Sequence, residues 1–433
     1  MTLEKHSKIF IIGTGTFGLS TALSLSRQGY INITCFDRDS VPSNFSAGND
    51  SNKIFDTPQY IGEPDLPTRI RLEAKHDWLN DEGYKPYFHP VGYLNAAMSE
   101  RVLNESSDVT TMKLLKPDAE LLDTPEKFRK YLKVFTGELP GWVGYYMHDD
   151  EGWVHARDSL ISAYNACLEA GVEFVFGDDG YINNFEFDSS TSNVTAIVSK
   201  SGRRYDGATS YVLCCGANVV TLLDFKCQLE SKCYTLAHVK LTPEEAVKYK
   251  DCPVIFNCER GFFFEPDENN EIKICNEFPG YTNLNENGES IPFYANEIPL
   301  EAAKDIRKYL KETMPELSEK PFVRTKICWI TDSPDRELII TTHPDHSNLV
   351  IGSGDSGESF MIMPIIGKYI GKVVTEGNVG LSKEEQLAWR WRPETATGRD
   401  DIGGRYGGSG HVTDLKSIKE WVSVENPEPH PLF

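Results

Sequence analysis

Apolar positions fall into three kinds of run along this chain. The first is short and continuous: "IFII" at Ile9 to Ile12, then the cores of "SYVLCCG" and "NLVIGSGDSG". Such runs predict strands buried on both faces. The second recurs at helical period, in "LSTALSLSRQ", "LPTRIRLEAKHDWLNDEG" and "PIIGKYIGKVVTEG". It predicts helices, the first one ended by Gly29. The third alternates apolar and polar residues through 226–324. "ERGFFFEPDENNEIKICNEFPGY" is its clearest part, and it predicts strands. Between these, "GWVHARDSLISAYNACLEAGVEFVFG" reads as a helix, then Gly171, then a strand. "TSNVTAIVSKSGRRYDGATSYVLCCGANVV" reads as a hairpin followed by a buried strand. Residues 86 to 150 are mixed and rich in aromatics. There is no tandem repeat or low-complexity segment.

The first strand and helix enclose Gly13, Gly15 and Gly18 at GxGxxG spacing, and the second strand, "NITCF", ends at Asp37. The glycines permit a tight turn and close approach to a pyrophosphate. The helix N-terminus offers N–H groups and a favourable dipole, and the acid suits ribose hydroxyls. In this context the motif predicts a dinucleotide, without choosing between FAD and NAD. The strand "SYVLCCG" repeats the logic, so Gly216–Ala217 is expected at the same ligand. "SVPSNFSAGNDSNKI" reads as a surface loop by composition. Its place just after a nucleotide-binding strand would also let it fold over the ligand. The nucleotide-binding strands are far apart in sequence, which predicts a discontinuous cofactor domain from 1–85, 150–225 and 325–433. Segments 86–149 and 226–324 are expected to form a second, substrate-binding lobe, with the site between the two.

Composition narrows the chemistry. The 433 residues carry a net charge of −21, which disfavours nucleic acid or an anionic membrane as partner. No apolar run approaches the ~18 residues of a membrane helix. The N-terminus enters the first strand too soon for a signal peptide, and "PLF" at the C-terminus is not a peroxisomal SKL-type signal. A cytoplasmic monomer is the expectation. Ten cysteines are scattered without metal spacing, so reduced thiols and no metal are expected.

Several longer stretches carry a family resemblance: "IIGTGTFGLSTALSLSRQGY", "VPSNFSAGNDSNKI", "GWVHAR", "AHVKLTPEE", "GFFFEPDE", "CNEFPGY", "ICWITDSPDRELIITTHP", "GSGDSGESF" and "GGRYGG". Over nearly its whole length the chain resembles the fructosyl amino acid oxidases (amadoriases). More widely it resembles the sarcosine oxidase family, which includes pipecolate and saccharopine oxidases. The resemblance implies an α/β and α+β fold class: a discontinuous glutathione-reductase-like Rossmann FAD domain with an antiparallel-sheet substrate domain. The implied reaction oxidises the secondary amine of an N-substituted amino acid, of fructosyl or saccharopine type, to an imine that hydrolyses. Oxygen takes the electrons and becomes hydrogen peroxide. The alternative is a flavin-dependent dehydrogenase of sarcosine or pipecolate type using another acceptor.

Residue by residue, the resemblance places covalent FAD, joined at its 8α position, on Cys328, which opens the pattern "CWITDSPD". It implies a cation near the reactive edge at Lys273, with Lys53 as the second candidate. In an extended strand Lys273, Cys275 and Glu277 share a face. Glu277 and Arg405 are expected to hold substrate, the arginine through its carboxylate. Gly13, Thr14, Gly15, Thr16, Phe17, Gly18, Asp37, Arg38, Ala47, Gly48, Asp50, Lys53, Gly216, Gly357, Phe360 and Met361 are expected at the cofactor. Met361 stands where the family has a carboxylate-binding lysine, and a methionine cannot replace that charge. Arg324 and Lys326 precede Cys328 closely enough to help a thiolate if they face it.

Overall fold

The continuous apolar runs form the middle of one sheet. In the computed structural model, which describes residues 3–397 and 412–424 (side chains of 277–279 excepted), Ile9–Ile12 pairs in parallel with both Ile33–Phe36 and Ser210–Leu213. The full order is Ile339–His343, His346–Ser353, Ser210–Leu213, Ile9–Ile12, Ile33–Phe36, Glu173–Val175. Only the hairpin at the start of that order is antiparallel. Ile9, Ile11 and Val212 pack beneath the helices Thr16–Arg27 and Met363–Glu376. Phe10, Ile12, Tyr211 and Leu213 pack on the opposite face with Ile182, Phe185 and Ile197 of a three-stranded sheet. Both faces are covered, which is why these strands show no alternation.

The alternating runs form a larger sheet. Its order is Phe322–Asp332, Glu230–Lys240, Glu271–Thr282, Gly261–Phe263, Val254–Asn257, Tyr93–Ala97, Val143–His148, with Thr413–Asp414 added beside Glu271–Thr282. The pairs are antiparallel, apart from Val254–Asn257 with Tyr93–Ala97 and the added strand. One face buries Cys233, Ala237, Ile272, Ile274 and Ile327 against Ile306, Tyr309 and Leu310 of the helix Leu300–Thr313. The alternate positions, among them Lys273, Lys326 and Cys328, face the other way. A short sheet of Asn52–Phe55, Gly152–His155 and Phe88–His89 lies between the large ones in the chain's path.

Three features differ from the sequence reading. "GWVH" is a strand, Gly152–His155, and the helix begins only at Ala156. Its edge pairing with Asn52–Phe55 is a tertiary contact that periodicity does not report. The helix Leu300–Thr313 lies within the span read as strand; its apolar positions do recur at helical spacing. The strand Phe322–Asp332 runs across residue 325 and lies wholly in the antiparallel sheet. Among the described residues, no helix is long and apolar enough to cross a membrane.

Candidate cofactor and active site

A cavity opens at the C-terminal ends of the parallel strands, with about 1270 Å³ of empty space including its mouth. Gly13, Gly15, Thr16 and Phe17 line its floor. A Cβ on Gly18 would lie 1.8 Å from the Gly13 carbonyl oxygen, and one on Gly13 would lie 2.3 Å from the Cys214 carbonyl oxygen. The two glycines therefore let the turn fold tightly under the helix Thr16–Arg27. The first turn of that helix carries no acidic side chain, and Gly15 offers no side-chain cap. Its dipole is left for an anion.

Asp37 lines the same cavity. Its Oδ2 accepts hydrogen bonds from the Thr14 N–H at 2.7 Å and hydroxyl at 3.0 Å, and its Oδ1 from the Arg38 N–H at 2.8 Å. Burial raises its carboxyl above the ordinary value despite these donors. A carboxylate has about four acceptor positions, so room remains for a ribose hydroxyl. Arg38 lies against the edge-to-face pair Phe45 and Tyr294, 3.8 and 4.3 Å from their ring centroids. Its Nη2 is buried without a hydrogen-bond partner. That orphaned donor, the open helix end and the glycine turn all fit a dinucleotide.

The loop after Asp37 runs over the surface only in part, at Ser40, Asn44 and Phe45. Ser43, Phe45, Ser46, Ala47 and Gly48 line the cavity, and Asn49, Asp50 and Ser51 are buried. Gly216, Gly357 and Phe360 also line it. Met361 was expected at the cofactor; instead it packs in the apolar cluster beneath the helices, with Ile362 and Met363, and does not line the cavity. Its thioether suits that core. Thr14, Gly18 and Asp50, also expected at the cofactor, do not line the cavity. Arg405 lies outside the described residues, as does the side chain of Glu277.

The far end of the cavity is charged. Lys53 and Lys273 each place Nζ 2.8 Å from Asp50 Oδ2. Lys273 is 2 % exposed, which settles that its strand face points inward, and it also donates to the Asn52 carbonyl at 2.6 Å. Burial works to raise the Asp50 carboxyl, but Lys273 and Lys53 outweigh it and hold the group far below the ordinary value. Burial likewise opposes the Lys53 ammonium, and Asp50 and Cys328 overcome it, raising its pKa. Lys53, unlike Lys273, lines the cavity, and its Nζ lies 4.0 Å from Cys328 Sγ. Cys214 and Cys215 line the cavity too, but burial pushes their thiols up, Cys214 to about 12.

Sequence reasoning did not find Tyr181, Asn218, Tyr294 or Trp329 in the wall. Nothing in their local pattern marks them. Asp355 was legible only as part of "GSGDSGESF"; it accepts from the Thr331 and Gly357 N–H groups at 3.0 and 2.9 Å.

Comparison with known proteins agrees with this geometry. Residues 8–373 match the family model described as FAD dependent oxidoreductase. The chain is 31% identical to L-saccharopine oxidase of Schizosaccharomyces pombe, over 89% of this chain and 93% of that protein. It is 40% identical to the solved fructosamine oxidase of Aspergillus fumigatus (Amadoriase II) in complex with FSA. That match has a TM-score of 0.91 and covers 98% of each chain. The fructosyl amine:oxygen oxidoreductase (Amadoriase I) of the same organism matches at 35% identity and TM-score 0.89, over 98% of this chain and 99% of that one. With a glycine turn, an acid at the second strand and a family match running through both sheets, this chain belongs to the FAD-dependent oxidoreductase family.

Proposed function

We propose that this protein is an FAD-dependent oxidase of N-substituted amino acids, with fructosyl amino acids first and saccharopine second among its substrates. The secondary amine loses two electrons and two protons to become an imine, O2 takes both to become H2O2, and water splits the imine. FAD, when bound, supplies the two-electron acceptor that O2 regenerates. The observation that carries the reading is the charged end of the cavity: Lys53 Nζ at 4.0 Å from Cys328 Sγ, with Lys53 and Lys273 sharing one carboxylate.

Each residue there has a task. Cys328 is the attachment point of FAD, and the Lys53 ammonium favours its thiolate. Lys53 and Lys273 against Asp50 leave a net positive charge in a water-poor place. Such a charge stabilises negative charge developing on oxygen, because it is already oriented and needs no solvent reorganisation. Asp37 and the open helix end hold the ribose and pyrophosphate of FAD, and Arg38 closes that end. Glu277 and Arg405 hold the substrate.

Acid precipitation of the purified protein tests the attachment. Yellow colour in the washed pellet is expected, and colour only in the supernatant removes Cys328 from its role. Peroxide release with fructosyl-valine, fructosyl-lysine, saccharopine, sarcosine and pipecolate then tests the activity. Bleaching under nitrogen without peroxide in air would instead make the protein a dehydrogenase.

A further inference from the structure

Lys53 is not the only cation set toward Cys328. Arg324, Lys326 and Cys328 alternate along the strand Phe322–Asp332 and so share one face. The two basic residues meet different partners. The Arg324 guanidinium holds Glu271 by hydrogen bonds of 3.0 and 3.1 Å, and His238 Nδ1 lies 3.1 Å from the same carboxylate. Lys326 instead shares the wall of a small second cavity with Cys328, Phe45, Asn49, Asp50 and Tyr294. Its ammonium donates to the Asn49 carbonyl at 3.4 Å.

We propose that Lys326 is a positioning residue for covalent attachment of FAD: with Lys53 it supplies positive charge near the Cys328 sulfur and favours the thiolate while the carbon–sulfur bond forms. This rests on the reading of Cys328 as the attachment point. In the net step the thiol loses its proton and the methyl group at ring position 8 loses one hydrogen. Sulfur bonds to that carbon, and the two electrons and two protons released convert O2 to H2O2. Lys326 does not touch the carbon that reacts; it acts through the sulfur.

The other groups around the sulfur support this. Lys53 and Asp50 come from the loop and strand after Asp37, Lys273 and Cys275 from Glu271–Thr282, and Cys233 and Tyr234 from Glu230–Lys240. Asp50 is committed to Lys53 and Lys273. Burial, with Lys53 and Lys273, lowers the pKa of Lys326 overall, while Cys328 and Asp50 work to raise it. A lysine that has lost hydration gains more from a nearby thiolate than a solvated one does.

The test uses full-length apoprotein from riboflavin-starved cells, mixed with FAD in air, and follows the flavin that survives acid precipitation. Lys326→Met is expected to attach FAD about tenfold more slowly than wild type near pH 7. It should recover as the pH is raised, because thiolate formed by bulk hydroxide no longer depends on a neighbouring cation. Lys326→Arg should keep the wild-type rate. A wild-type rate in Lys326→Met at neutral pH overturns the inference. A slow rate that stays slow at high pH also overturns it, because that would be a structural defect. Should Lys326→Met not take up FAD, the pH profile of iodoacetamide alkylation at Cys328 in Lys326→Gln reads the same effect. Acid-stable flavin missing from the wild type sinks the Cys328 reading itself. Its presence with an unchanged Lys326→Met sinks this inference alone.

Discussion

Two largely buried ionic groups, with Glu358 at the exposed edge of one, flank the short strand Asn52–Phe55, and they have opposite balances. On the cavity side Lys53, Lys273 and Lys326 gather around the single carboxylate of Asp50. On the other side Asp56, Asp108, Glu151 and Glu358 gather around Arg71 and Lys75. Arg71 bonds Asp56 at 3.1 Å and Glu358 at 2.8 Å, while Lys75 Nζ is 4.0 Å from Glu151. Where cations are in excess, the acid stays ionised far below its usual range. Where acids are in excess, the buried ones hold their protons more tightly than usual. Burial, then Asp56, raises Glu151 to about 9, and burial raises Asp108 to about 6. The difference teaches that burial alone does not set the charge state. The local count of opposite charges does, and here it puts the positive excess beside the cofactor cavity.

The largest expected effect breaks the cationic group. Asp50→Asn leaves Lys53 and Lys273 buried without their shared counter-ion, and should cost about 3–5 kcal/mol in denaturant unfolding of the holoenzyme. An unchanged midpoint would show that the two ammonium groups are hydrated. Next comes Lys53→Met, which should slow reoxidation of the reduced enzyme by O2 about 10²–10³-fold in stopped flow, the typical value of one oriented charge. Its effect on anaerobic reduction should be much smaller. Lys273→Met should slow reoxidation less, since Lys273 stands behind the wall. The reverse order would assign the oxygen step to Lys273.

The acidic group gives smaller effects with a defined pH dependence. Glu151 binds its proton more tightly folded, at about 9, than unfolded, near 4.3, so its contribution is complete below the unfolded value and is lost as pH rises toward 9. Glu151→Gln removes that loss. It should stabilise the protein by roughly 2 kcal/mol near pH 8 and very little near pH 4. A constant offset across pH would mean that Glu151 is ionised at neutrality. Asp108→Asn should act likewise in the window from about 4 to about 6, by roughly 1 kcal/mol after allowance for its partial exposure. Thermal melts across pH read both.

Much of this was legible in the residues. Strand, glycine turn, helix and acid are one local unit, and Gly13, Gly15, Gly18 and Asp37 all sit where that unit requires. "CWITDSPD" singled out Cys328 through resemblance, and alternation put Lys273 on an inward face. The loop 41–50 was less legible. Its polar composition reads as surface, yet Ser43 and residues 48–50 are buried while Asn44 and Phe45 stay exposed.

The sequence by itself determined the nucleotide unit, the continuous and alternating kinds of strand, and which residue types were available for the chemistry. Those depend on short-range sterics and on periodicity, which a local stretch carries in full. Only the tertiary structure decided that Lys53 meets Cys328 across 275 positions of chain, and that Lys273 shares Asp50 with it. It also decided that Arg324 is engaged by Glu271 while Lys326 shares a small cavity with Cys328, and that Met361 belongs to a core. These outcomes follow from how two sheets close on each other. Electrostatic energy depends on distance in space, and chain order does not report that distance.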